Sequence, residues 1–251
     1  MTNLYADAVT THRPDLLPVP ERALTIGAHP DDAEFGAGGT LARWARAGCE
    51  VSMVIVTDGS KGSWDPQVAA TDLAKLRAAE QIAAAAALGV TGDLIHLDYV
   101  DGELEYSMDL RRKVCELVRS LRPNVVLSHD PWKRYMLHPD HRATGMATID
   151  GVVAARDHLF YPELGLEKHR PDAILLWGPD EADYWEDVAA TFDVKITALL
   201  CHSSQTQSTM NDATNGDEAR DAFITRMKEW SARNGAAVGL PVAECFKLLR
   251  P

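Results

Sequence analysis

Residues 23–39, with the sequence ALTIGAHPDDAEFGAGG, join a short apolar run to a polar cluster and a glycine-rich segment. The apolar run at 23–27 is typical of a buried strand, and we expect the helix after the glycines to span about 38–48. In open α/β sheets, ligands bind beyond the carboxyl ends of the strands. The histidine and two carboxylates that follow this strand, His29-Pro30-Asp31-Asp32, are therefore a candidate metal site.

A second cluster of the same kind, His138-Pro139-Asp140-His141, follows another predicted strand more than a hundred residues later. Zinc binds imidazole nitrogen and carboxylate oxygen, and a catalytic zinc keeps one position open for water. His29 and Asp32 can approach one ion from the same turn, and His141 is the natural third ligand. In the strand order 3-2-1-4-5 the first and fourth strands are neighbours, which brings the two clusters together.

Each cluster alone also fits an ordinary polar helix entrance, with an aspartate as N-cap or a proline in the first turn. Short motifs have a high false-positive rate. The glycines at 36–39 follow a strand as in a dinucleotide-binding fingerprint, but their spacing is not GxGxxG and the carboxylates before them would repel a pyrophosphate. Two clusters that follow two strands of one sheet favour the metal site over these alternatives.

The order of the predicted elements indicates an α/β fold: a Rossmann-like, doubly wound, mostly parallel sheet with helices on both faces. The predicted strands are 23–27, 51–57, 94–97, 124–128, 173–177, 187–191 and 243–249. The predicted helices are about 38–48, 71–88, 108–121, one from near His141, 194–201 and 217–235.

Two of these helices carry apolar stripes that predict their buried faces. For helix 71–88 the residues expected to face the core are Leu73, Leu76, Ala79, Ile82 and Ala83. For helix 108–121 they are Leu110, Val114, Leu117, Val118 and Leu121.

Length and composition narrow the class of protein. We interpret residues 1–251 as a single domain in which residues 1–21 form an N-terminal arm. The formal charge of −12 argues against a nucleic-acid partner and against binding to anionic membrane surfaces. No apolar run reaches the roughly 20 residues of a membrane span, and no secretory signal is evident.

The four cysteines form no CxxC pair, so we expect reduced thiols and a cytoplasmic location. The oligomeric state stays open, with a homo-oligomer as one alternative.

Several motifs together resemble the PIG-L/LmbE family of zinc-dependent de-N-acetylases. They are AHPDD at 28–32, Thr57-Asp58-Gly59, Arg77 with Glu80, HPDH at 138–141, HSSQ at 202–205 and Glu244-Cys245-Phe246. The similarity runs from about Ala23 to Phe246, so it covers most of the chain. The resemblance implies that His29, Asp32 and His141 hold zinc, or another divalent metal such as Fe²⁺.

The same resemblance implies roles for the other polar residues of the site. Asp31 would be the general base, and His138 would stabilise the oxyanion with Asp140 supporting its imidazole. Arg77 would contact the substrate. Some members carry a tyrosine two residues before HPDH; this position is Met136 here, with Tyr135 beside it.

Amide hydrolysis requires an activated water, a group that stabilises the oxyanion and a proton for the leaving amine. The resemblance implies a zinc-dependent hydrolase that removes an N-acyl (acetyl) group from an N-acetylglucosamine-like sugar conjugate or a related small molecule, through metal-bound water with Asp31 as general base. One alternative is a metal-dependent amidase acting on a thiol-sugar conjugate or a larger amide. Alternatives from other classes are a nucleotide-binding oxidoreductase and a non-catalytic carbohydrate-binding protein. We expect the loops at 58–72, 100–107 and 203–216 to set the substrate, the last as a candidate lid.

Overall fold

The structure is a computed structural model that describes residues 16–210 and 216–251. Two predictions fall partly outside these ranges. They are the N-terminal arm, up to residue 15, and the candidate lid, at 211–215. Within the described ranges, no helix has both the length and the apolar character needed to cross a bilayer.

Seven described strands form one mixed, mostly parallel sheet, which confirms the predicted fold class. The strands are β1 (Arg22–Gly27), β2 (Glu50–Thr57), β3 (Leu94–Tyr99), β4 (Val125–His129), β5 (Ala173–Trp177), β6 (Tyr184–Asp187) and β7 (Ala243–Leu249). Their order is β3-β2-β1-β4-β5-β7-β6, so the predicted neighbours β1 and β4 are adjacent. Strands β1 to β5 are parallel, whereas β7 runs antiparallel to β5 and β6. The single-domain organisation stays a prediction.

The predicted strand at 187–191 is wrong except at its first residue. The observed strand β6 ends at Asp187, and the amide of Thr191 donates to the carbonyl of Val188 in a turn that leads into the next helix. Buried Tyr184 and Glu186 alternate with less buried neighbours along β6, which is the pattern of a strand with one covered face.

Six α-helices are described: α1 (Asp32–Arg46), α2 (Ala70–Leu88), α3 (Met108–Leu121), α4 (Pro139–Arg156), α5 (Phe192–Leu200) and α6 (Asp217–Ala236). Two short 3-10 helices, Pro162–Leu164 and Ser203–Gln205, are also described. Helices α1, α2 and α5 pack together on one face of the sheet, and α3 packs with α4 on the other. Side chains of one strand alternate between the two cores, as Val125 and Leu127 do on one side and Val126 on the other. This arrangement is the doubly wound architecture that the sequence predicts.

Helix α1 begins six residues earlier than predicted, so the glycine-rich segment lies inside the helix. The reason is close packing. A Cβ atom at Gly36 would lie 2.4 Å from Cγ of Trp177, and one at Gly39 would lie 2.7 Å from Cβ of Val188. The glycines therefore let α1 approach its neighbours, and they do not form the open loop that a dinucleotide phosphate would need.

The predicted apolar stripe is largely right for α3 and wrong for α2. In α3, Leu110, Val114 and Val118 are buried, while Leu117 and Leu121 are only partly covered. In α2, Leu73 is buried, but Leu76 and Ile82 are 48% and 61% exposed and Ala79 and Ala83 also lie outside the buried set. The buried face of α2 is instead completed by polar side chains, namely Arg77, Glu80 and Gln81.

Candidate active site

Both polar clusters lie at the carboxyl end of the sheet. The turn at 28–31 connects β1 to α1, and the loop that follows β4 leads to α4, which begins at Pro139. Because β1 and β4 are parallel neighbours, with Ile26 opposite Ser128, the two clusters face each other across a short gap.

The three proposed ligands lie within contact distance of one another. His29 Nδ1 is 3.2 Å from His141 Nε2 and 3.4 Å from Asp32 Oδ2. Asp32 Oδ1 is 3.3 Å from His141 Nε2. A tetrahedral ion with zinc–ligand bonds of about 2.0–2.1 Å holds its ligand atoms roughly 3.3–3.4 Å apart. His29 Nδ1, His141 Nε2 and the two carboxylate oxygens of Asp32 are therefore spaced as ligands of a zinc-sized ion. His29, Asp32 and His141 are also distributed among three groups of histidine and aspartate side chains. Within each group, one potential ligand atom from every residue lies within 4.8 Å of the others.

A further histidine, His129 at the end of β4, lies against this set. Its Nε2 is 3.1 Å from Asp32 Oδ2, and its ring stacks on that of His141 at 4.1 Å between centroids. Trp177 Nε1 donates to His129 Nδ1 at 3.2 Å, and the amide of Ala28 lies 3.2 Å from His129 Nε2. These contacts hold the His129 ring beside the Asp32 carboxylate. Burial lowers the pKa of His129 to about 4, so its imidazole is neutral at pH 7.

The second nitrogen of His29 is held by two carboxylates. Its Nε2 lies 3.1 Å from Asp101 Oδ1 and 3.1 Å from Asp140 Oδ2. Burial opposes the imidazolium, but these carboxylates and Asp32 outweigh it and raise the pKa of His29 to about 12. Carboxylates on the outer nitrogen of a ligating histidine fix the orientation of its ring. Asp101 thus joins the site from the loop after β3.

The contacts that the structure gives Asp140 differ from the expected one to His138, and its supporting role for His138 stays a prediction. Its carboxylate accepts hydrogen bonds from the amides of Gly102 and Leu104 and contacts His29, and it makes no hydrogen bond to His138. The reason is geometric, because Asp140 is fully buried at the start of α4 and faces the β3 loop. Asp140 therefore orients His29, the histidine of the other cluster.

His138 lies at the wall of the site, with a ring nitrogen within 4.8 Å of carboxylate oxygens of Asp101 and Asp140. Its ring stacks on His141 at 4.7 Å and meets His29 edge-on at 4.4 Å. Its buried Nδ1 has no hydrogen-bond partner among the residues that the structure describes. Burial, together with the neighbouring His29 and His141, lowers the pKa of His138, which favours its neutral form.

Asp31 is buried beside the ligand set and has an unusual backbone. Its φ of 101° lies in the left-handed region, which non-glycine residues rarely adopt. Burial raises the pKa of Asp31 to about 6, with the charge of Asp32 adding to this effect and the guanidinium of Arg77 opposing it. A carboxylate with a pKa near the working pH suits a general base.

Arg77 reaches the site from α2 and is only 3% exposed. Its guanidinium donates to the carbonyls of Pro30 at 2.6 Å and Gly59 at 3.0 Å, and lies 3.5 Å from Asp31 Oδ2. Its expected neighbour Glu80 makes no ion pair with it, because Glu80 accepts hydrogen bonds from Ser203 and Ser204. The substrate contact expected of Arg77 stays a prediction, and its visible contacts are with the protein itself.

These residues line a cavity of about 490 Å³ that opens to solvent. The lining comprises His29, Asp31, Asp32, Lys61, Gly62, Trp64, Arg77, Asp101, Gly102, His138, His141, Gln205, Ser208 and Thr209. Trp64, 74% exposed, is the indole at this cavity, whereas Trp132 lines a different one. Tyr135 is 87% exposed and is not part of the lining.

Sequence comparisons identify proteins similar to this chain. Residues 24–152 match the PIG-L family, described as GlcNAc-PI de-N-acetylase. Diacetylchitobiose deacetylase of Thermococcus kodakarensis is 35% identical over 189 residues, which cover 74% of this chain and 70% of that protein. A 1D-myo-inositol 2-acetamido-2-deoxy-alpha-D-glucopyranoside deacetylase of Saccharopolyspora erythraea is 32% identical over 169 residues, which cover 57% of this chain and 60% of that protein.

A comparison with solved structures gives the same result. N,N'-diacetylchitobiose deacetylase from Pyrococcus horikoshii, in complex with an inhibitor, matches with a TM-score of 0.83 and 29% identity. The match covers 92% of this chain and 84% of that one. The segment that matches the family, 24–152, contains both polar clusters and just over half of the 251 residues. The chain therefore belongs to the PIG-L family.

Proposed function

We propose that this protein is a metal-dependent de-N-acetylase that acts on a small molecule containing N-acetylglucosamine. The observation that carries the proposal is the set of potential ligand atoms from His29, His141 and the two carboxylate oxygens of Asp32, with contacts of 3.2–3.4 Å, beside the buried carboxylate of Asp31. The two relatives and the Pyrococcus structure are named as deacetylases of acetylated amino sugars.

His29, Asp32 and His141 would hold the metal ion, and zinc is the ion that we propose. When bound, a zinc ion would polarise the acyl carbonyl and lower the pKa of a coordinated water to about 7. The outer groups Asp101, Asp140 and His129 would keep these side chains in position, and supporting contacts of this kind raise metal affinity.

Asp31 would take a proton from the attacking water. Its carboxylate shares the cavity with the ligand set, and its pKa of about 6 leaves it mostly deprotonated at pH 7. A carboxyl group with a much lower pKa would accept the proton too weakly. One with a much higher pKa would already be protonated at pH 7. After the attack the same carboxyl group could return the proton to the departing amine.

His138 would donate a ring N–H to the amide oxygen as negative charge develops there. Its ring lines the cavity next to His141, and its Nδ1 has no hydrogen-bond partner among the described residues, so a ring nitrogen is available to the substrate. The lowered pKa favours a neutral donor, and neutral donors in a buried site also stabilise an oxyanion.

The cavity suits a sugar conjugate. Its volume of about 490 Å³ lies within the roughly 300–1,000 Å³ of small-molecule sites. Hydroxyl, amide and carboxylate groups from Ser208, Thr209, Gln205 and Asp101 line it, and these can hydrogen-bond to sugar hydroxyls. The exposed indole of Trp64 at the rim offers an apolar face for a pyranose ring.

An assay of acetate and free amine tests this proposal. The protein, stripped of metal and reloaded with zinc, is incubated with N,N'-diacetylchitobiose and with an inositol conjugate of N-acetylglucosamine. We expect zinc-dependent release of equal amounts of acetate and amine from at least one of them. Release of a larger acid from a thiol-sugar conjugate, with no acetate from the first two substrates, would favour the amidase alternative. No hydrolysis of any of these amides by a chain that binds zinc would contradict the proposal.

A further inference from the structure

A group of fully buried polar side chains lies behind Asp31, on the side away from the cavity. Gln81 of α2, Glu34 of α1 and His202 after α5 are each 0% exposed. None of them lines the cavity, and the proposed reaction does not use them. Buried polar groups are unfavourable unless they are paired, so the contacts of this group indicate what it does.

Helix α2 contacts both polar atoms of one peptide group, the one that joins Pro30 to Asp31. Arg77 Nη2 donates to the carbonyl oxygen of Pro30 at 2.6 Å. Gln81 Oε1 accepts from the amide of Asp31 at 3.1 Å. Arg77 and Gln81 are four residues apart, so they project from the same face of the helix. Helix α2 thus holds this peptide from both ends.

This peptide needs such support. Asp31 has φ 101° and ψ −23°, a conformation that side-chain-bearing residues rarely adopt, and it precedes the first residue of α1. Amides at a helix start have no acceptor within the helix, so the buried Asp31 N–H depends on an acceptor from elsewhere. Strained backbone persists where its surroundings fix it, and Gln81 supplies the hydrogen bond on the Asp31 side.

Glu34 determines which way the Gln81 amide points. Gln81 Nε2 donates to Glu34 Oε1 at 2.7 Å. An ionised carboxylate only accepts hydrogen bonds, so Glu34 selects the NH₂ group of Gln81 and leaves the carbonyl for Asp31. Glu34 Oε2 in turn faces His202 Nε2 at 3.8 Å. Glu80, next to Gln81 on α2, accepts from Ser203 and Ser204 and so attaches the segment after His202 to the same helix.

We propose that Gln81, oriented by Glu34, is a positioning residue for Asp31: it fixes the Pro30–Asp31 peptide so that the Asp31 carboxylate faces the attacking water. This inference rests on the proposed function, in which Asp31 is the general base. Gln81 touches neither the substrate cavity nor the three proposed metal ligands. Its effect should therefore fall on turnover and leave substrate binding and metal binding unchanged.

The first variant is Gln81→Leu, which keeps the approximate size of the side chain and removes both hydrogen bonds. We expect kcat to fall about 10- to 100-fold, the range that a misplacement of about 1 Å produces, with KM changed less than about threefold. Zinc content measured by elemental analysis should stay at the wild-type value. A kcat within about twofold of wild type, or a parallel loss of zinc, would overturn the inference.

A charge exchange tests the role of Glu34 and guards against a folding artefact. Gln81→Glu alone places two carboxylates face to face and should lower kcat. In the double variant Gln81→Glu/Glu34→Gln, the carboxylate at 81 accepts from both Asp31 and the new amide at 34, so most of the lost kcat should return. A double variant that is no faster than Gln81→Glu would show that this hydrogen-bond pair does not position Asp31.

Thr191→Val is the matched control, because it also removes a buried hydrogen bond to α1, from Thr191 Oγ1 to the Gly39 carbonyl at 2.7 Å. It should lower the melting temperature and leave kcat unchanged. Equal losses of kcat in Thr191→Val and Gln81→Leu would assign the effect to general loosening of α1 and overturn the inference.

Asp31→Asn separates this inference from the proposed function. If Asp31→Asn keeps wild-type turnover, Asp31 is not the base, and both the base assignment and the positioning role fail. If Asp31→Asn loses turnover and Gln81→Leu does not, only the positioning role fails. A crystal structure of Gln81→Leu adds a readout that needs no substrate. The φ of Asp31 should leave the left-handed region, and a φ unchanged from 101° would contradict the inference.

Discussion

Helices α2 and α3 are both long helices packed against the sheet, yet the polar side chains that they bury reach different parts of the molecule. The buried face of α3 contains Leu110, Val114 and Val118, which belong to the apolar core under the sheet, and Arg119, which donates to the carbonyls of the last turn of α4. The buried face of α2 includes Arg77 and Gln81, whose hydrogen bonds reach the turn after β1. Helix α3 therefore stabilises the fold, whereas α2 also positions residues of the candidate active site.

The difference follows from where each helix lies. Helix α3 meets α4 away from the polar clusters, so burial of apolar area is its main contribution. Helix α2 packs against the turn at 28–31. The Pro30 carbonyl and the Asp31 amide of this turn are hydrogen-bonded by side chains of α2. Substitutions on the two buried faces should therefore affect different properties, and this comparison can be tested.

The largest expected loss of turnover is for a substitution of Asp31, the residue whose backbone the buried face of α2 contacts. Asp31→Asn removes the proton acceptor with almost no change in size, so kcat should fall about 10²- to 10⁴-fold. Single-turnover kinetics with zinc-loaded protein measures this change, and circular dichroism checks the fold. A loss of less than tenfold would mean that the polar face of α2 supports something other than a general base.

Arg77→Leu and Leu110→Ala compare the two buried faces directly. Arg77→Leu leaves the carbonyls of Pro30 and Gly59 without their donor, and we expect about a 10- to 100-fold loss of kcat. Leu110→Ala creates a cavity in the core under α3, and we expect about 2–5 kcal/mol lower free energy of unfolding.

Urea unfolding and kinetics on both variants provide the measurements. Leu110→Ala should keep its kcat at temperatures where it stays folded. If that variant loses as much turnover as Arg77→Leu, the division of roles between the two helices is wrong.

The pH dependence of kcat/KM should show the influence of Arg77 on Asp31. With a pKa of about 6, Asp31 loses its proton as the pH rises through 6, so activity should fall about tenfold per pH unit below that value. The Arg77 guanidinium lowers the pKa of Asp31. Its removal in Arg77→Met should therefore move the acidic limb to higher pH. A shift to lower pH, measured in buffers of constant ionic strength, would contradict this electrostatic relation.

The smallest effect is expected on the exposed face of α2. Ile82, which the apolar stripe assigns to the core, is 61% exposed. Ile82→Gln should change the free energy of unfolding by less than about 0.5 kcal/mol, as is usual for surface positions. A decrease of more than about 2 kcal/mol in the free energy of unfolding, measured with urea, would mean that Ile82 is buried as the apolar stripe predicts. Leu88→Ala, at a buried position of the same helix, is the positive control.

The sequence predicts the neighbourhood of the two clusters well because strand order and motif position both follow from local patterns. The βα alternation gives the order that makes β1 and β4 neighbours, and the motifs lie directly after these strands. The start of α1 is wrong because the glycines suggest a turn. Their real cause, contact with Trp177 and Val188, involves residues more than a hundred positions away.

The polar support of the site is harder to predict. Asp140 lies between two histidines in sequence, and spacing alone does not tell which histidine it contacts; the structure gives a third, His29. Gln81 lies in an alanine-rich helix, where the apolar period predicts a core and hides the polar face. Its one signal is the spacing of four residues from Arg77, which places both side chains on one face.

The indole of Trp177 connects the packing of α1 with the proposed metal site. It lies against Gly36, where an added methyl group would fall 2.4 Å from the ring, and its Nε1 also bonds to His129, which holds Asp32. A methyl group at position 36 would therefore displace the indole, and through His129 it would disturb Asp32, one of the proposed ligands. If these residues hold a metal as proposed, its retention would depend partly on a residue that has no side chain.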